Sequence, residues 1–152
     1  MISQTVEYAL RAMVHLAAEP LPRTAAQIAE VTRVPAAYLV KVLQQLARAR
    51  LVHGQRGPNG GFTLLGNTAE ISIWKVVDAV EPLQRIRSCP LELKSHRVRL
   101  CPLHQKLDDA LAQIEHAFKT TTLAELLGDP NAPRPLCDDA PASRSKGRIS
   151  LK

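Results

Sequence analysis

Four polar side chains, Tyr38, Lys41, Gln45 and Arg48, follow one another at spacings of three, four and three residues. On a helix that spacing gathers them on one side. Lys, Gln and Arg donate to base edges or phosphate oxygens, and Tyr contacts a thymine methyl or a phosphate. Any amphipathic helix has a polar side that simply faces water, so the surroundings decide. From Val31 to Ala69 there is no Asp or Glu, whereas Arg33, Lys41, Arg48, Arg50 and Arg56 all fall inside that stretch. The formal net charge of +6 is therefore concentrated there. A cationic surface of this kind implies a polyanion, either nucleic acid or an anionic membrane surface. Arg56 stands at the base of Gly57-Pro58-Asn59-Gly60-Gly61, whose glycines leave a turn free of bulky side chains. Such a tip can lie along a minor groove and offer its guanidinium to a narrow A·T segment.

The elements that would hold these groups are legible from periodicity. Val6, Leu10, Met13 and Ala17, broadened by Val14 and Leu16, predict a first helix that ends at Pro20 and Pro22. Thr24 and Gln27 form a capping box that opens a short second helix carrying Ile28 and Val31. Pro35 is expected in the first turn of a third helix, whose buried side is Leu39, Val42, Leu43 and Leu46, with the four polar residues opposite. Two short helices joined by Thr32-Arg33-Val34 are what a helix-turn-helix requires. Leu51-Val52-His53 and Phe62-Thr63-Leu64 then flank the glycine-rich segment as a hairpin, with Asn59, Gly60 and Gly61 supplying positive φ at its tip. A fourth helix starts at Ser72, turns Ile73, Val76, Val77 and Val80 inward, and closes at Glu81-Pro82.

At 152 residues the chain accommodates one domain with an appendage. Residues 1–81 are read as a winged helix-turn-helix domain, and 82–105 as a basic loop holding Cys89, Ser95, His96 and Cys101. Residues 106–127 are read as a long helix followed by a short one, and 128–152 as a disordered, proline-rich tail that includes Cys137. The fold class is thus mainly α with a small β-hairpin wing. Leu107, Leu111, Ile114 and Phe118 form one apolar stripe on the long helix, suited either to a second copy of the chain or to its own first helix. Met1-Ile2-Ser3-Gln4-Thr5 does not read as the start of a signal peptide and no apolar run is long enough to span a bilayer, so a cytoplasmic protein with no membrane partner is expected. Three cysteines in such a compartment are buried, reactive or metal-binding, not a disulfide framework.

Glu7-Tyr8-Ala9-Leu10-Arg11, Ile28-Ala29, Tyr38-Leu39 and above all Arg56-Gly57-Pro58-Asn59-Gly60-Gly61-Phe62 resemble the Rrf2 family of winged-helix regulators over residues 1 to about 127. That family includes regulators of iron–sulfur biogenesis, nitric-oxide sensors and cysteine-metabolism repressors. The resemblance implies a homodimer joined through the long helix, reading double-stranded DNA at a pseudo-palindromic operator as a repressor. Tyr38, Lys41, Gln45, Arg48, Arg56, Gly57, Asn59, Gly60 and Gly61 are the expected DNA contacts. Cluster-bearing relatives place three cysteines in the loop, with a His three residues after the last. Here Cys89, Cys101 and His104 keep the ends of that frame, while Ser95 stands in the middle with His96 beside it. Some relatives add a first-helix carboxylate from the partner subunit, and Glu7 matches that position. The set Cys89, Cys101, His104, Glu7 and His96 leaves several outcomes open: a two-iron iron–sulfur cluster in preference to a four-iron one, a zinc site, or no cofactor. In the last case control passes to thiol oxidation or a protein partner.

An enzyme is not expected. The chain has no Gly-x-Ser-x-Gly elbow, phosphate loop, His-Glu-x-x-His or dinucleotide fingerprint. The pair Asp108-Asp109 is read as first-turn charge that complements a helix N-terminus.

Overall fold

A computed structural model describes residues 2–93, 99–129, 132–133 and 135–136. Helix α1 (Gln4–Ala18) is the element on which most others dock, capped by Ser3, whose hydroxyl accepts from the Val6 N–H. Val6, Met13, Val14 and Leu16 are buried as the spacing predicts, while Leu10 and Ala17 are only half-buried. Ala9, Ala12 and His15 are buried as well, because neighbours approach α1 from several sides. Two alanines there let those neighbours come close without leaving voids.

Helix α2 (Ala25–Thr32) opens with the expected capping box, in which Thr24 accepts from the Gln27 N–H and Gln27 accepts from the Thr24 N–H. Arg33 then takes the left-handed conformation, at φ 54°, and reverses the chain. Val34 is buried beneath the reversal. Helix α3 (Ala36–Arg48) follows with Leu39, Val42, Leu43 and Leu46 in the core. Pro35 is its N-cap and not a first-turn residue as expected; its fixed φ suits that extended position equally well.

Strands β1 (Val52–Gln55) and β2 (Gly61–Leu64) pair antiparallel, with Val52 opposite Leu64 and Gln55 opposite Gly61. Helix α4 (Ile73–Val80) is capped by Ser72 and buries Val76 and Val77, with Ile73 and Val80 half-buried. Helix α5 (Pro102–Thr120) packs against α4, and helix α6 (Leu123–Gly128) packs against α1, with Leu123 fully buried. Residues 121–124 also pair with 68–73 through Ile73 N–H to Thr121 carbonyl and Leu123 N–H to Ile71 carbonyl, both 2.9 Å. The architecture is mainly helical with one hairpin, as the sequence predicts. Most of the expected tail, Cys137 included, lies outside the described residues.

His15, near the C-terminal end of α1, is buried, and its Nε2 has no hydrogen-bond partner among the described residues. Burial holds its imidazole below the ordinary 6.5; Glu19 opposes that shift and Arg23 reinforces it. The unfolded chain therefore binds a proton at a higher pH than the folded one. His15's contribution is fully present above about 6.5 and is lost as pH falls below it. Thermal denaturation between about pH 8 and about pH 5 should show a falling melting temperature that His15→Leu partly flattens. Equal slopes for parent and variant would contradict this account.

Candidate nucleic-acid interface

At about 100° per residue, the side of α3 opposite its leucines is centred on Ala37, Lys41, Gln44 and Arg48. All four are exposed, and Val40 beside them is also exposed. Of the four predicted polar residues, Lys41 and Arg48 lie on this side. Tyr38 and Gln45 lie on its shoulder, towards α1 and α4. The Tyr38 hydroxyl is 2.6 Å from Thr5 Oγ1, and its ring meets Tyr8 edge-on with centroids 5.5 Å apart. Gln45 Nε2 donates to the Val80 carbonyl at 3.5 Å. Together with Lys41 and Arg48 they line an open depression of about 480 Å³ that also includes Thr5 and Glu81. A period of three or four gives a side of a helix but not its neighbours, so the polar spacing alone passes over Gln44, Ala37 and Val40. The full helical wheel contains them.

Arg11 fixes the helix-turn-helix from below. Its Nη1 donates to the Thr32 carbonyl at 3.3 Å, its Nε pairs with Glu7 at 3.0 Å, and its guanidinium lies 5.9 Å from the Tyr8 ring centroid. The exposed Glu7 carboxylate is thus engaged within its own helix.

The wing tip is built differently from the expected Asn-Gly turn. Gly60 N–H donates to the Gly57 carbonyl at 2.9 Å, which places Pro58 and Asn59 at the centre of the turn. Positive φ falls on Gly57 and Gly61, not on Asn59 or Gly60. A proline at the first central position presets the turn without needing a left-handed residue there. The glycines answer to close approach as well. A Cβ on Gly60 would sit 2.4 Å from the Gln55 carbonyl oxygen, and one on Gly61 2.7 Å from that of Arg23. Arg23 exchanges two backbone hydrogen bonds with Phe62, at 3.1 and 2.7 Å, so the segment before α2 acts as a third edge of the hairpin. Arg56 is exposed in the loop between the strands.

Charge is segregated across the molecule. Arg23 pairs with Glu19, Arg85 with Asp108 and Glu115, and Lys119 with Glu115. Among the described residues, Lys41, Arg48, Arg50 and Arg56 have no carboxylate within ion-pair distance.

The loop after α4 is clamped to α5. Arg85 donates from Nε and Nη2 to the two Asp108 oxygens, each at 2.6 Å, and from Nη1 to Glu115 at 3.2 Å. The Ile86 N–H adds a bond to Asp108 at 2.9 Å. The Arg85 guanidinium, helped by that N–H, holds the Asp108 carboxyl below its ordinary value. Lys119 and then Arg85 do the same for Glu115. Asp108 is therefore not first-turn charge: α5 begins at Pro102, and Asp108 is a buried anchor in the second turn.

Cys101 is the N-cap of α5, and its Sγ lies 3.3 Å from His104 Nδ1. Cys89 is buried. Ser95 and His96 lie outside the described residues. Among the described residues no three His, Cys, Asp or Glu side chains converge, and the middle position of the frame offers a hydroxyl, a poor iron ligand beside thiolates. These residues do not fit a three-thiolate cluster. On α5, Leu107 and Ile114 are 48% and 40% exposed, with Leu111 and Phe118 half-buried, so a single copy leaves the apolar stripe largely uncovered. Among the described residues no helix is long and apolar enough to cross a membrane.

Gly61→Ala should destabilise the fold by about 1–3 kcal/mol by forcing β2 away from Arg23. Chemical denaturation checks this, and a variant as stable as the parent would show that the wing is not anchored there.

The family described as "Rrf2: Iron-dependent Transcriptional regulator" matches residues 2–129. A protein of Aquifex aeolicus (strain VF5), which bears the name of an HTH-type transcriptional regulator, is 31% identical over 130 residues, 82% of this chain and 90% of that one. The fold is similar to that of CymR (YrzC), the global cysteine regulator of B. subtilis, with 22% identity, a TM-score of 0.68, and coverage of 83% of this chain and 95% of that one. It is also similar to T. potens IscR, with 23% identity, a TM-score of 0.70, and coverage of 85% and 87%. The match over nearly the whole described chain, together with the Aquifex relative, shows that this protein belongs to the Rrf2 family of transcriptional regulators.

Proposed function

We propose that the chain is a homodimeric, sequence-specific DNA-binding repressor that places α3 in the major groove and the Arg56 wing against the neighbouring minor groove. The observation that carries this reading is Lys41 and Arg48 on the outward side of α3 and Arg56 on the wing, all exposed and without a carboxylate within ion-pair distance among the described residues. Exposed cations that are not held by carboxylates are available to neutralise phosphates, with release of their counterions. The uncovered α5 stripe of Leu107, Leu111, Ile114 and Phe118 supports a two-fold dimer, hence a pseudo-palindromic operator.

A duplex chosen from a random pool by its affinity for the protein provides the test. Binding should weaken steeply with salt, and Lys41→Ala and Arg56→Ala should each weaken it, with a log–log slope shallower by roughly 0.9 for each phosphate no longer neutralised. Cys137→Ser should leave it unchanged. Equal affinity and equal slope for all three variants would refute the assignment.

The signal enters, on this reading, at the loop that ends in Cys101. The donor set does not fit a three-thiolate cluster, so we assign the response to the Cys101 thiol, whose sulfur lies 3.3 Å from His104 Nδ1. Hydrogen peroxide would transfer one oxygen atom to the sulfur, giving the sulfenic acid and releasing water. Protein purified without oxygen should then be colourless. Its affinity for the selected duplex should fall with peroxide and return with a thiol reductant, and Cys101→Ser should be insensitive. Stoichiometric iron with visible absorbance would replace this reading with a cluster-based one.

A further inference from the structure

The first turn and a half of α3 reads Ala36-Ala37-Tyr38-Leu39-Val40. Leu39 is fully buried, and Tyr38 is held to Thr5 and Tyr8 on α1. Besides Tyr38, which is 39% exposed, the exposed residues at this end of the helix are Ala36, Ala37 and Val40, with Val40 at 39%. On the outward side itself the first hydrogen-bonding side chains are Lys41 and Gln44. A single exposed valine is ordinary by itself. Here it lies beside Ala37 in the first turns of a side that carries Lys41, Gln44 and Arg48 further along, so the surface is apolar at its N-terminal end and polar and cationic beyond it. That combination fits a duplex whose phosphates meet the cations while its groove floor meets the methyls.

The chemistry of the groove floor narrows the choice. The major groove presents acceptors, donors and one apolar feature, the thymine 5-methyl group. A face of Ala37 and Val40 can gain only from that feature, and it leaves unpaired any donor or acceptor it covers. One turn on, Gln44 can donate to and accept from an adenine edge at once. We propose that Ala37 and Val40 read thymine methyl groups and that Gln44 reads adenine, so that each half-site carries A·T pairs beneath this part of α3. The proposal rests on the DNA-binding reading above and specifies its bases.

The test uses the synthetic duplex selected from a random pool and copies of it in which single dT nucleotides are replaced by dU, which removes the methyl and keeps the pairing. At two or more positions per half-site, dU should weaken binding by about three- to fivefold, the value of burying one methyl. Val40→Ser, with helical content unchanged by circular dichroism, should lose the sensitivity at one of those positions and keep it at the others. If every dU duplex binds as tightly as its dT parent, the thymine reading is overturned while DNA binding stands. If no duplex is enriched, both readings fall together.

Discussion

Helix α1 must be approached from several directions at once, and that constraint shapes the rest of the fold. Helices α2, α3, α4 and α6 and strand β2 all pack on it. A helix so surrounded cannot carry bulky side chains on every inward side, and Ala9 and Ala12, both fully buried, are small residues at such positions. Either position enlarged would overpack the core, at a cost of about 1–3 kcal/mol. The motif Glu7-Tyr8-Ala9-Leu10-Arg11 then acquires a physical meaning. Ala9 admits the neighbours, Tyr8 meets Tyr38 of α3, and Arg11 holds the Thr32 carbonyl at the end of α2. One helix sets both the depth and the angle of the helix-turn-helix pair.

On that frame the electrostatics follow a division of labour. The i,i+4 pairs Arg11–Glu7, Arg23–Glu19 and Lys119–Glu115 are half-exposed and individually worth little. Each neutralises only its own two charges. Within a stretch of nearly forty residues that has no acids, α3 and the wing present Lys41, Arg48 and Arg56 to solvent. A polyanion is attracted to cations so exposed.

Elements are legible in the sequence because apolar spacing is imposed by burial, and burial is a property of one helix or strand at a time. The leucines of α3, the capping box at Thr24 and the paired runs around the glycines can be read on that basis. What cannot be read is each element's neighbour. Tyr38 and Gln45 look like free polar residues until α1 and α4 are set beside them, after which they become struts. Arg23 looks like a loop residue until its backbone closes on Phe62. Asp108 looks like charge near a helix start until Arg85 arrives from 23 residues earlier. The glycines locate the wing, yet turn chemistry is only part of their role: they serve close backbone approach at Gln55 and Arg23, which no local pattern encodes.

The Arg85 clamp also limits how any change at Cys101 can travel. Arg85 grips Asp108 and Glu115, about two turns apart on one side of α5, so the loop and the middle of that helix move as a unit. Cys101 caps the same helix at its first turn. A larger or charged group on that sulfur would act on the first turn of α5, which lies before the clamp and carries Leu103, with Leu107 one turn on at the start of the uncovered apolar stripe. In a dimer built on that stripe, a tilt of the first turn changes how two copies meet. The spacing of the two α3 helices changes with it. On the proposed reading, in which two copies meet through that stripe and Cys101 is the responding thiol, a local chemical event would become a choice between two dimer geometries, and operator affinity would respond by the difference in binding to the two.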